Sequence, residues 1–284
     1  MHDIEEDEIR VVGGGENHDD NKKVHWWVWC IAALVFIGII LLAINLWSKP
    51  SPSIGSNDSQ NTEDSQPSSI WLNNLDDNLP SCTIIKDTVI DTLHLTIYTP
   101  FNAQPELLVG CIDTTDTDII LAAMAADLRR DNGKIVGAFV YAGEPLSWGL
   151  SKKGYCAIID GMITIGMAEN SPLFEQATEQ GGYFFRQYPS VDKGVMIENN
   201  PENASFRRAL CVLNGRICIV SCTDRVIMND FSKSLVKLGV KEAILLIGGT
   251  ADGWSRGDDG RIIRFGVPHT KNKKYRNYII FRKQ

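Results

Sequence analysis

Apolar residues fall into three regimes along the chain. Residues 1–24 and 48–69 show no apolar periodicity, residues 26–47 are uncharged and apolar but for Asn45, and from about residue 80 short apolar runs alternate with turn residues. The last regime predicts strands over 83–90, 93–99, 135–141, 155–159, 162–167, 182–187, 209–213, 216–221, 243–247, 262–265 and 277–282, each bounded by Gly, Pro, Asn or Asp. Two helices are expected. One covers 118–131, with Thr115, Asp116 and Thr117 ahead of it and Asn132-Gly133 as a stop. The other covers 231–238, capped by Asn229 or Asp230 and ended by Gly239. Strands outnumber helices and several are consecutive. The expected fold class is therefore α+β, with mixed or antiparallel sheets and a few helices, preceded by one transmembrane helix. The clearest local signal is the hairpin RRALCVL-NG-RICIVSC, because Asn214-Gly215 suits a type I′ turn.

The segment WWVWCIAALVFIGIILLAINLWS (26–48) carries no charge. At about 1.5 Å per residue it reaches about 33 Å, enough for a hydrocarbon core. Trp26, Trp27 and Trp29 stand at one end and Trp47 at the other, as indoles do at headgroup boundaries. A single-pass helix over 25–47 is expected, uncleaved because the run exceeds a signal h-region. Lys22 and Lys23 precede it and only Lys49 follows. The bias of lysines predicts a cytoplasmic N-terminus and an extracytoplasmic C-terminal domain, periplasmic in a bacterium. The expected organisation is a disordered cytoplasmic tail (1–24), the membrane helix (25–47), a disordered linker (48–79) and the folded domain (80–284).

Charge sharpens this division. Residues 1–25 hold eight acidic and three basic residues, and residues 48–80 hold five and one. Residues 81–284 hold 22 acidic and 24 basic residues, so the net charge of -7 belongs to the tails. A nearly neutral domain offers no electrostatic reason to bind nucleic acid.

Of seven cysteines, Cys30 lies in the apolar segment; the rest are Cys82, Cys111, Cys156, Cys211, Cys218 and Cys222. A two-residue Asn214-Gly215 turn would set Cys211 opposite Cys218, about 5.5 Å apart at Cα. They are either bridged or two small apolar core residues. No CxxC occurs, and no metal site or cofactor is expected.

Candidate chemistry gathers late in the chain. In LLIGGTADGW (245–254) a buried strand opens into a glycine loop. Gly248 and Gly249 let the backbone approach an anionic ligand, Asp252 offers a carboxylate and Trp254 a face for a sugar. Arg207 and Arg208 point to opposite strand faces, so one turns inward and needs a carboxylate, a phosphate or several carbonyls.

Three further stretches complete a pattern: Val136-Gly137-Ala138-Phe139 with Gly143-Glu144-Pro145 and Asp160-Gly161; Gln187-Tyr188-Pro189-Ser190-Val191 with Gly194; and Arg207-Arg208-Ala209, followed by Leu238-Gly239, Ala243 and Gly248-Gly249. In this order they resemble the phosphodiester glycosidase family, over most of residues 80–284. The resemblance implies that family's fold and a site that takes a glycan or sugar phosphodiester. The candidate ligand-binding residues are Gln187, Arg207, Gly248, Gly249 and Trp254; the candidate catalytic carboxylates are Asp252, which would compensate from the loop for a missing family carboxylate, and Glu144 as a second acid. The family's Asn is replaced by Val136, its Asp by Ile247 and its Gly-Ser by Thr250-Ala251. An isoleucine cannot carry a proton, so two readings follow: a phosphodiester glycosidase, or a non-catalytic envelope module that binds a glycan or another protein.

Overall fold

The computed structural model describes residues 70–200, 202–268 and 274–284. Three sheets with all strand pairs antiparallel make up the domain. The seven-stranded sheet runs β1 (Cys82–Ile90), β2 (Leu93–Phe101), β13 (Arg216–Val226), β12 (Ser205–Leu213), β14 (Val240–Leu245), β10 (Pro189–Asp192), β11 (Val195–Met196). A five-stranded sheet runs β16 (Ile262–Arg264), β15 (Gly253–Arg256), β4 (Ile119–Met124), β17 (Asn277–Lys283), β3 (Ala103–Val109). The other runs β6 (Glu144–Ser147), β5 (Phe139–Tyr141), β9 (Tyr183–Gln187), β7 (Gly154–Ile159), β8 (Met162–Met167). Two helices, α1 (Leu173–Glu179) and α2 (Met228–Leu238), complete the described residues.

This corrects the expected α+β class: the described residues are mostly β-sheet, with only these two helices. None of the described helices is long and apolar enough to cross a membrane. The expected membrane helix over 25–47 and both flanking tails up to residue 69 lie outside the described residues.

The helix expected over 118–131 is instead the strand β4 and the segment leaving it. The run IILAAM is buried at every position. Ile119, Ala122 and Met124 join one apolar cluster, while Leu121 and Ala123 join another. β4 lies between β15 and β17 with both faces covered, so it has no polar face to alternate. Alanine's helix propensity is worth less than this two-sided burial. The presumed cap residues form turns, with Asp113 accepting from the Thr115 amide and Asp116 from the Asp118 amide.

The Asn214-Gly215 hairpin forms as expected. Both residues have positive φ (52° and 71°), and Cys211 pairs with Cys218. Both are buried free thiols, packed as core residues. α2 ends at Gly239 (φ 96°) and begins earlier than expected, after Ile227. The strand expected over 135–141 is shortened to β5, because Gly137 turns the chain at φ 84°.

Candidate functional site

The ends of β4, β9, β14, β12 and β17 meet at one edge of the three sheets. Hydrogen bonds between strand-end residues trace the meeting. Beyond β4, the Ala125 amide donates to the Asn277 carbonyl (3.2 Å). The Ala126 amide donates to Asn277 Oδ1 (2.7 Å). Beyond β14, the Leu246 amide donates to the Arg208 carbonyl (2.9 Å) and the Ile247 amide to the Met124 carbonyl (3.2 Å). The Met124 amide in turn donates to the Asp252 carbonyl (3.2 Å).

On this edge Arg186 and Gln187 alternate on β9, so their side chains leave opposite faces of the strand. Gln187 donates from Nε2 to the Ala125 carbonyl (3.3 Å) and accepts from Lys152 Nζ (3.0 Å). Lys152 also pairs with Asp127, and its ammonium stands 4.8 Å from the centre of the Tyr188 ring. The lysine side chain is 5% exposed and the aspartate side chain 41%. Burial pulls the Lys152 ammonium below the usual lysine range, and the charge of Asp127 opposes this. Backbone placement is equally particular: Lys152 sits at φ 68°, and its carbonyl accepts from Arg186 Nη1 (3.0 Å). A single residue thus joins the two faces of β9.

Across the end of β14 lies the second polar group. Arg208 is the inward member of the arginine pair. Its Nη1 donates to the carbonyls of Ile247 (3.1 Å) and Ala251 (3.3 Å), and its Nη2 to that of Phe265. The guanidinium also lies 4.6 Å from the Phe265 ring centre, and burial lowers its pKa to about 10. Asp252 is buried and accepts from Arg264 Nη1 (3.0 Å). Arg207 turns to the partly open side, where it donates to the Val226 carbonyl (3.1 Å) and to Asn203.

The sequence-predicted residues separate on this map. Gln187, Arg207, Gly248, Gly249 and Asp252 lie at the shared edge. Glu144 and Trp254 do not. Glu144 is exposed beside the β5–β6 turn, where its neighbour Tyr141 stands next to the start of β9. Gln187 closes the other end of that strand, about 13 Å away at the usual strand rise. Trp254 is fully enclosed, its backbone paired with Ala122. Neither of the cavities of about 560 and 410 Å³ among the described residues is walled by Glu144, Arg207 or Asp252. Gly248 has a packing cause: a Cβ there would meet the Phe206 carbonyl oxygen at 2.2 Å. The glycine loop is pressed onto β12, and the Gly249 amide donates to that same carbonyl (2.8 Å).

Sequence reasoning missed Lys152, Asp127 and Tyr188. The signal available was Lys152-Lys153 in a glycine-flanked loop, a place where a backbone at positive φ can turn a lysine inward.

No family model matches the sequence, and no curated protein matches it. Solved structures do. The catalytic domain of zebrafish N-acetylglucosamine-1-phosphodiester alpha-N-acetylglucosaminidase, auto-inhibited by its pro-peptide, superposes with a TM-score of 0.53 at 12% identity. The match covers 76% of this chain and 88% of that one. A hypothetical protein from Synechocystis gives a TM-score of 0.48 at 14% identity, over 70% of this chain and 62% of that one. The described domain has a phosphodiester-glycosidase-like fold.

Proposed function

We propose that the domain binds a sugar phosphate or phosphorylated glycan at the strand-end edge, through Lys152, Tyr188 and Arg207. The observation that carries this reading is the state of Lys152. A lysine almost removed from water holds one partly exposed carboxylate and one amide oxygen, so two of its three N–H donors are used. In this reading the partly exposed Asp127 gives way and a ligand oxygen takes its place on the ammonium. Tyr188 is 36% exposed and supplies a ring for a sugar face, and Arg207 supplies a second cation on the far side of β14. The solved domain of the same fold is named for action on an N-acetylglucosamine phosphodiester, which fits this ligand class.

A second reading, hydrolysis, is favoured by that likeness to a catalytic domain. It would not run through Asp252 and Glu144. Paired glycosidic carboxyls stand about 5–9.5 Å apart across the bond, whereas Asp252 is buried against Arg264 and Glu144 is exposed at a distant turn. In this reading Lys152 and Asp127, which form an ion pair at the edge, would carry the proton transfer.

The test is calorimetric titration of the full chain with N-acetylglucosamine 1-phosphate and its methyl diester. Saturable binding that weakens at least about tenfold in Lys152→Met supports the proposal. Absence of binding, or equal affinity in the variant, rejects it. Release of N-acetylglucosamine from the diester would separate the second reading from the first.

A further inference from the structure

At the start of β14, the end away from Arg208, two carboxylates share one face of the seven-stranded sheet. Val191 pairs with Ala243 between β10 and β14, and the next positions along are Asp192 and Glu242. The turn beyond them keeps this register: the Lys193 amide donates to Glu242 Oε1 (3.0 Å) and the Gly194 amide to the Lys241 carbonyl (2.8 Å). Pairing also fixes the face. Glu242 is opposite Val212, which packs in the core cluster with Ile163 and Ile165 of β8. Val191 and Ala243 pack in the cluster beneath α2. Side chains alternate along a strand, so Asp192 and Glu242 both point toward β8.

Like charges set directly opposite each other on one sheet face repel, with Cβ atoms about 5 Å apart. Neither carboxylate forms an ion pair among the described residues. Burial pushes the Glu242 pKa up to about 7, and Asp192 adds more to the rise than the Lys193 charge takes from it. A cation beside the pair would relieve both the repulsion and the burial of charge. The space for one is present. A cavity of about 410 Å³ opens here, walled by Asp192 and Glu242 together with Leu72, Ile165, Met167 and Val212. Its size is within the range of small-molecule sites. Lys193 and Lys241 reach its rim, but both are exposed and neither comes within ion-pairing distance of the carboxylates. A hard metal ion fits the place poorly: no third acidic, His or Cys ligand joins the pair among the described residues, and Glu242 Oε1 is already taken by an amide. The apolar part of the wall suits a carbon body instead.

We propose that this cavity binds a small organic ammonium, its cationic head between Asp192 and Glu242 and its apolar body against Leu72, Ile165, Met167 and Val212. The site lies at the other end of β14 from the sugar-phosphate edge, and its test does not depend on that reading.

Hexylamine and 1-hexanol serve as probes, titrated calorimetrically into the full chain at pH 8, where the amine is protonated and Glu242 is mostly ionised. The two share a tail and differ in the charge of the head. The amine should bind saturably and about tenfold or more tighter than the alcohol. Glu242→Gln keeps an acceptor for the Lys193 amide and removes the charge, so it should bring the amine close to the alcohol. Asp192→Asn should weaken the amine by about fivefold or more. Calcium chloride is the third titrant. Calcium binding that Glu242→Gln abolishes, with no binding of the amine, would assign the pair to a metal ion and overturn the proposal. No saturable binding of the amine, equal affinity for amine and alcohol, or an unchanged affinity in either variant would each overturn it as well.

Discussion

Arg208 and Lys152 are both buried cations at the same sheet edge, and they are held in opposite ways. Arg208 spends its planar fork on three backbone carbonyls from separate parts of the chain, at Ile247, Ala251 and Phe265. It ties the loop between β14 and β15 to the segment that follows β16. Lys152 is held by side chains, and the carboxylate it pairs with is 41% exposed. A guanidinium suits the first task because its donors are rigid and diverge; an ammonium suits the second because its donors rotate. One cation ties backbone segments together, and the other is held by side chains, one of them partly exposed.

The sharpest way to break this comparison is to remove each cation. Arg208→Met would take the donor from one buried and two partly buried carbonyls, a loss of about 3–5 kcal/mol. Urea denaturation should show a large fall in midpoint, or no cooperative unfolding at all. Lys152→Met should behave differently. Its isosteric tail still fills the space, and Asp127 can turn to water, so stability should change by about 1 kcal/mol or less. If Lys152→Met unfolds the protein as severely as Arg208→Met, the distinction between scaffold and site fails.

Arg207→Ala tests the neighbouring arginine. It loses bonds to Val226 and Asn203 on a half-open face, worth about 0.5–1.5 kcal/mol. Thermal unfolding should drop by a few degrees only, while affinity for N-acetylglucosamine 1-phosphate should fall. A large stability loss with unchanged affinity would assign Arg207 to the scaffold beside Arg208.

The scaffold side of this comparison was easier to foresee than the site side. Strand identity follows from local alternation and turn chemistry, so the hairpin at Asn214-Gly215 and its Cys211–Cys218 register were legible from ten residues. The need of Arg207-Arg208 for one inward partner set was legible for the same reason. β4 was not, because a strand covered on both faces by Ile, Leu and Ala has no alternation to read. α1 gave little to read either, with a proline at its N-cap and only Leu173 and Ala177 buried along its seven residues. The site depends on non-local geometry. Lys152 meets Asp127 across 25 residues and Gln187 across 35, and no short-range pattern announces such a meeting. Trp254 shows the converse: a tryptophan beside a glycine loop suggests a sugar platform, and the strand pairing with β4 buries it instead.

The smallest effect concerns a third partly buried charge, Glu242 on β14, away from both cations. Its Oε1 accepts from the Lys193 amide (3.0 Å). Burial pushes its pKa up from 4.5 to about 7; Asp192 adds to the rise, and the Lys193 amide and charge oppose it. Because the folded value lies above the unfolded one, the folded state holds the proton more tightly. The stability this contributes is fully present below pH 4.5 and is lost as pH rises through about 7. Glu242 is not fully enclosed, so screening leaves about 1 kcal/mol of the effect. Melting temperature should therefore fall by about 2–4 °C between pH 5 and pH 8 on account of this group. Glu242→Gln keeps an acceptor for the Lys193 amide and carries no charge, so it should gain on the unsubstituted protein at pH 8 and not at pH 5. Equal differences at both pH values would mean that Glu242 keeps an ordinary carboxylate pKa in the folded domain.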